Sequence, residues 1–305
     1  MTGILKFSKI ARNIMIIVLM SSCFASNYDM RVCAAKEKYP KIIMHAAGGI
    51  DKKIYTNSKE ALLKALKRGE KMIELDFMIT KDNYIVCTHR WESTKGKRVT
   101  MKKFLKTKIK GKYTPMSADT VVRLMGKYKA NLVVDTKEES FKKFYNAFMW
   151  QLKTTAPGFR KRVIPQIYFD EDYDQITTYY NFKNYIYTMY KQKTKKDKDY
   201  TRIAKFCKER NVKIVTMPDA RATKKHIKLV KKQKLKVAVH TVNDYDRVME
   251  LKKNGADYVY TDFQSVSKLK KTTKKRKEEA AKKKAAAKKK AAETTAAIEE
   301  TTALE

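Results

Sequence analysis

Cysteine is scarce, four in 305 residues, and two of them, Cys23 and Cys33, lie close to the N-terminus. No CxxC and no Cys/His pair at metal-site spacing occurs. That argues against a disulfide framework and a structural zinc centre, and Cys87 and Cys207 read as buried thiols. Glycine-rich phosphate loops are missing after every apolar run, which argues against an open nucleotide-binding sheet. No serine occupies a nucleophile elbow, which removes that route to hydrolysis. Acid is also in deficit: 32 Asp and Glu face 70 Lys and Arg, a formal net charge of +38. A field of that sign favours anionic partners, whether acidic lipid, anionic cell-wall polymer or nucleic acid, and says little about fold.

A comfortable membrane span is absent too. Lys6, Lys9 and Arg12 precede a short apolar run, Ile14 to Met20, followed by the small residues of SSCFAS. Positive flank, short apolar core and small residues make residues 1–35 a signal peptide or, through the lipobox-like MSSC, a lipoprotein signal. Retention as an N-terminal anchor is the alternative. Each version puts the bulk of the chain outside the cytoplasm, secreted or at the cell surface. That setting favours a membrane or wall surface over nucleic acid.

From Lys41 onward, apolar runs alternate with amphipathic stretches. KIIMHA, MIELDFMIT, YIVCTH, NLVVDTK, RVIPQIY, NYIYTMYK, VKIVTMP, KVAVHTVN and DYVYTD read as strands. SKEALLKALKRG, stopping at Gly69, and several later segments read as helices, with Ser117 a helix cap. Roughly eight strand–helix units in this length predict an α/β fold, a (β/α)8 TIM barrel over residues 40–267. Residues 268–305 hold thirteen basic and six acidic residues and almost no large apolar ones. They are expected to form a solvated, partly helical or disordered basic tail that can be removed without harm.

Within MIELDFMITKDNYIVCTHR, Glu74 and Asp76 sit inside an apolar strand. Residues i and i+2 share a face, about 7 Å apart along the strand, so the two carboxylates repel unless a cation lies between them. His45, His89, Asp135 with Lys137, Thr241 with Asn243, and Thr261 with Asp262 all fall at strand ends, where α/β barrels carry their active sites. Three carboxylates are hard oxygen ligands suited to Mg²⁺ or Ca²⁺. Two histidines make a poor zinc set and a good acid–base pair. His240 lies on a late strand and is a candidate for the barrel mouth.

The ordered motifs IIMHAAGG, YTNSKEAL, MIELDF, TKDN, VCTHR, Asp135-Thr136-Lys137, Thr241-Val242-Asn243, Gly255-Ala256-Asp257 and Thr261-Asp262 cover residues 41–265. In order and spacing they resemble the glycerophosphodiester phosphodiesterases, whose barrel is shared with phosphatidylinositol-specific phospholipase C. The resemblance implies His45 and His89 as acid and base, and Glu74, Asp76 and Asp135 as ligands of one divalent cation. It implies Lys137 as a phosphate contact and a small-molecule or lipid-derived phosphodiester as substrate; Arg90, which departs from the family pattern, and Asn243 are further candidate substrate contacts. It also implies attack by the substrate's own adjacent hydroxyl, giving glycerol phosphate and an alcohol. Departures are Ala46 where the family has a phosphate-binding arginine, Thr56 for a glutamate, Asp135 for a glutamate, and Arg90 for an aspartate. A degenerate barrel that only binds anionic lipid or wall polymer, and a lyase-like relative that stops at a cyclic phosphate, are the alternatives.

Overall fold

The computed structural model describes residues 38–302, apart from 179, 194 and 195, with side chains described as far as residue 287. The expected leader, residues 1–35, lies outside the described residues. Nine strands alternate with helices: β1 (Lys41–Met44), β2 (Met72–Ile79), β3 (Ile85–Cys87), β4 (Asn131–Thr136), β5 (Val163–Ile167), β6 (Ile186–Thr188), β7 (Ile214–Pro218), β8 (Lys236–His240) and β9 (Tyr258–Thr261). All but β3 run parallel, in the order β1-β2-β4-β5-β6-β7-β8-β9 and back to β1, so the barrel is closed and has eight strands.

The period-2 pattern of the strands sorts their side chains. Ile43, Val133, Ile164, Ile186, Ile214, Ala238 and Tyr260 pack together inside the barrel. Leu75, Leu132, Val134, Val215 and Val259 belong to the larger apolar layer between barrel and helices. Two residues further along each inward row the chemistry changes. Ile43 is followed by His45, Val133 by Asp135, Ile164 by Gln166, Ala238 by His240 and Tyr260 by Asp262. One end of the lumen is therefore apolar filling and the C-terminal end is a polar mouth.

YIVCTH, one of the runs read as strands, corrects the expected regular alternation. β3 is antiparallel to β2, with Phe77 opposite Cys87 and Ile79 opposite Ile85, and it stands outside the ring. The chain turns back through Thr80–Tyr84, where the Thr80 hydroxyl bonds Asp82 at 2.6 Å and the Tyr84 amide at 3.0 Å. It therefore returns alongside β2, and the Thr88 amide donates to the Asp76 carbonyl at 3.0 Å. His89 arrives beside Asp76 by this detour rather than at the end of a barrel strand.

The helices are α1 (Lys59–Lys67), α2 (Met101–Leu105), α3 (Ala118–Lys127), α4 (Phe141–Thr155), α5 (Asp170–Thr177), α6 (Asp197–Glu209), α7 (Lys224–Lys231), α8 (Tyr245–Asn254) and α9 (Val266–Thr302). Ser58, Thr100, Ser117, Ser140, Thr223 and Asp244 accept the first free amides of α1, α2, α3, α4, α7 and α8. The region expected to be a tail without packing is α9, a single helix whose first turns dock. Leu269 is fully buried. The Thr273 hydroxyl meets the hydroxyls of Tyr39 at 3.1 Å and Tyr245 at 2.7 Å. Arg276 pairs with Asp246 and lies 4.5 Å over the Tyr245 ring. No helix among the described residues is long and apolar enough to cross a membrane.

Candidate active site

The polar mouth gathers the carboxylates of β2 and β4. The register sets Asp76 directly beside Asp135. Glu74, Asp76 and Asp135 each offer an oxygen within 4.8 Å of the others. All three are buried, with exposures of 1%, 1% and 7%. Bringing three anionic groups together out of water is costly unless cations compensate. One cation is already in place: Lys137 Nζ lies 2.8 Å from Asp76 Oδ1 and 2.6 Å from Asp135 Oδ2. Burial opposes the ammonium, but the charges of Asp135, Asp76 and Glu74 outweigh it and raise its pKa.

The remaining oxygens are tied down individually. Asn57 grips Asp76 at both ends, its amide nitrogen donating to Oδ2 at 2.8 Å and its oxygen accepting the Asp76 amide at 3.0 Å. The Tyr168 hydroxyl donates to Asp135 Oδ1 in a short bond. The Ala46 amide donates to Glu74 Oε2 at 2.7 Å. Glu74 Oε1 is buried and has no hydrogen-bond partner. Burial, then the charge of Asp76, pushes the Glu74 pKa up to about 8. Burial also works on Asp76, but Lys137, His89 and Asn57 hold its pKa below the ordinary value. Each carboxylate oxygen can accept more than one partner. The trio, with its one orphaned oxygen, therefore fits a hard divalent cation.

The two histidines stand on the rim of this cluster. His45 Nδ1 lies 2.9 Å from Asp262 Oδ1. Burial disfavours the imidazolium, but the Asp262 hydrogen bond and the charges of Glu74, Asp262 and Asp76 push its pKa up to about 9. His89 is half-buried and shifts the other way. Burial lowers its pKa, Lys137 and Arg90 add to the effect, and Asp76 opposes it. The Tyr55 ring stands between them, 4.6 Å from His45 and 5.0 Å from His89, edge-on to both.

The loop His45–Gly49 makes this possible. Ala46, Ala47 and Gly48 all have positive φ, at 46°, 69° and 88°, and this left-handed turn aims the Ala46 amide at Glu74. The Ala46 side chain is fully buried. The cations that line the cavity beside Lys137 are instead Arg90 and Lys191, the latter 4.1 Å over the Tyr168 ring. The cavity has a volume of about 290 Å³, and Gln166, Thr188, Tyr190, His240 and Tyr260 complete its wall.

Of the residues singled out in the sequence, His45, His89, Glu74, Asp76, Asp135, Lys137 and Arg90 converge here. Asn243 does not line the cavity. Its amide nitrogen donates to Asp262 Oδ2 at 2.8 Å, and its oxygen accepts from Thr261 Oγ1 and the Asp262 amide, each at 2.8 Å. It fixes the carboxylate that holds His45, and its side chain is not on the cavity wall where a substrate contact was expected. Sequence reasoning gave no role to Asn57, Tyr55 or Asp262. Asn57 was visible inside YTNSKEAL as a polar residue just before a helix cap, but its reach to Asp76 is a property of the fold.

A closed α/β barrel with buried carboxylates and two histidines at its C-terminal mouth defines a class of phosphoester hydrolases. The family comparison makes the assignment specific. Residues 37–266 match the model of the glycerophosphoryl diester phosphodiesterase family. The chain belongs to that family and is a phosphoric diester hydrolase. No curated protein is similar enough in sequence to match. The chain resembles the crystal structure of a glycerophosphodiester phosphodiesterase from Parabacteroides distasonis, with 17% identity, TM-score 0.63, and 77% of this chain and 97% of that one covered. It also resembles an Oleispira antarctica phosphodiesterase in complex with the product sn-glycerol-3-phosphate, with 16% identity, TM-score 0.61, and coverage of 73% and 93%. A third similar structure is the glycerophosphodiester phosphodiesterase of Thermotoga maritima, at 17% identity, TM-score 0.55, and coverage of 77% and 98%.

Proposed function

We propose that the protein is an exported enzyme that hydrolyses glycerophosphodiesters to glycerol phosphate and an alcohol with one divalent cation, Mg²⁺ or Ca²⁺. The observation that carries the cation is the buried Glu74 Oε1, without a partner beside Asp76 and Asp135. Glu74, Asp76 and Asp135 would hold the ion, which when bound supplies Lewis-acid charge stabilisation to the phosphoester.

The chain's own residues supply the rest. His45 and His89 are the acid–base pair. Their environments differ, His45 being hydrogen-bonded to Asp262 and His89 lying beside Lys137 and Arg90, which suits one to donate and the other to accept a proton. Asp262 orients His45 through Nδ1, and Asn243 orients Asp262. The Tyr55 ring stands between the two imidazoles. Lys137, Arg90 and Lys191 offset the charge of the phosphate. The glycerol hydroxyl next to the ester oxygen is the nucleophile, since no side chain at the mouth is set up to attack phosphorus; its attack expels the alcohol and leaves a cyclic glycerol phosphate, which water then opens to glycerol phosphate. Attack from within the substrate is worth several kcal/mol over a bimolecular step.

Turnover of a panel of glycerophosphodiesters, with and without a chelator, tests the reading. Turnover should vanish with the cation and return on its addition. Phosphorus NMR of the products distinguishes hydrolysis to glycerol phosphate from release of a cyclic phosphate. Full activity after exhaustive chelation would refute the cation.

A further inference from the structure

A second cavity, of about 360 Å³, adjoins the carboxylate cavity. The two share the wall formed by Tyr55, His89, Arg90 and Tyr190. A diester held with its glycerol half over the carboxylates can place its other half there, past His89. That space is ill suited to an acyl chain. Thr56, Thr88, Glu92 and Ser93 line it, and the buried Ser93 hydroxyl has no hydrogen-bond partner. Arg90 and Lys110 give it two cations against the single carboxylate of Glu92.

The segment that contributes Lys110 strengthens the sign. Residues 95–112 contain nine lysines and arginines and no acid. Only two of these cations have a carboxylate partner among the described residues: Arg98 with Glu138 at 2.9 Å and Lys112 with Asp51 at 2.7 Å. Lys110 is exposed and has none.

We infer that the outer cavity is the subsite for the leaving alcohol, and that it selects a polyol which itself carries a phosphate. The inference rests on the glycerophosphodiesterase reading and narrows its substrate class. The ligand chemistry is a phosphorylated polyol joined through a diester to glycerol. Two sources share it, the end of a poly(glycerol phosphate) chain and a deacylated lipid headgroup bearing an extra phosphate.

The test compares kcat/KM, at low salt and saturating Mg²⁺ or Ca²⁺, for three substrates. These are a short poly(glycerol phosphate) oligomer, glycerophosphoinositol phosphate and glycerophosphocholine. One or both phosphorylated substrates should exceed glycerophosphocholine by tenfold or more, and whichever leads identifies the source. Lys110→Glu should cut that ratio at least tenfold, with an unchanged thermal melt certifying that the variant is folded. Equal or better turnover of glycerophosphocholine by the unaltered enzyme overturns the inference while leaving the diesterase reading intact. Failure to turn over any of the three overturns the diesterase reading. In that event equilibrium dialysis of the oligomer against the unaltered protein and Lys110→Glu still decides the subsite: equal binding by both removes it, and loss in the variant keeps it as an anion site.

Discussion

At the scale of single residues the site is a set of carboxylates held by close neighbours. Asn57 is the sharpest instance, because both ends of its amide are spent on Asp76. Asn57→Ala should weaken divalent-cation affinity by about 10–100-fold, the usual cost of losing an outer partner of a metal ligand. A cation titration read by activity and by thermal shift checks this. Asp76→Asn should abolish turnover and also the stabilisation by saturating cation. At a concentration 100 times Kd that stabilisation amounts to about 2.7 kcal/mol in an intact protein.

His240 yields a prediction about pH. It is half-buried with its Nδ1 3.0 Å from Thr216 Oγ1. Burial, then the charges of His45, Arg221 and Lys137, lowers its pKa to about 3. The folded protein thus binds this proton less readily than the unfolded chain, whose histidine titrates near 6.5. The contribution is fully present above pH 6.5 and is lost as pH falls from there towards 3, on the order of a few kcal/mol. His240→Gln should flatten that part of the stability curve in denaturant titrations run at pH 7, 5.5 and 4.5. An unchanged slope would show that the imidazole is not held neutral.

At the scale of elements, the parallel strands were legible because each is an apolar run followed by a polar inward residue. Ile43 then His45, and Val133 then Asp135, can be read directly from the letters. The path of His89 was not. YIVCTH has the composition of any other strand, and nothing in it tells antiparallel return from parallel crossover. The short turn at Thr80–Tyr84 is the only local sign. The partners of Asn243 were hidden for a related reason: its motif marks the mouth, but not which atoms are already taken by Asp262.

The start of α9 was missed because one leucine in a lysine-rich stretch carries no periodic signal. Leu269 nevertheless occupies a fully buried position. Leu269→Ala should destabilise the barrel by about 2–5 kcal/mol, as expected for a core leucine. Removing residues 288–305 should leave the melting temperature within a degree or two. Deleting everything from residue 270, once expected to be harmless, should lower it through loss of the Thr273 and Arg276 contacts. Thermal melts of the three forms check the boundary.

At the scale of the whole molecule, the chain carries a net charge of +38, while the mouth of the barrel is itself rich in carboxylates. A charge of this sign favours approach of anionic partners, and a cation on the buried acids would lower their repulsion of an anionic diester. Association with anionic substrates should slow steeply with ionic strength, because surface charges are screened beyond about 10 Å at 0.1 M salt. The central claim is attack by the substrate's own hydroxyl at a cation-loaded carboxylate cluster, served by His45 and His89. The most direct measurement is the rate on a glycerophosphodiester beside its analogue lacking the adjacent hydroxyl, each with and without chelator. The account predicts turnover of the first with cation present, and a fall of orders of magnitude for the deoxy analogue or the chelated enzyme. A deoxy analogue cleaved at a similar rate would make water the nucleophile and contradict it.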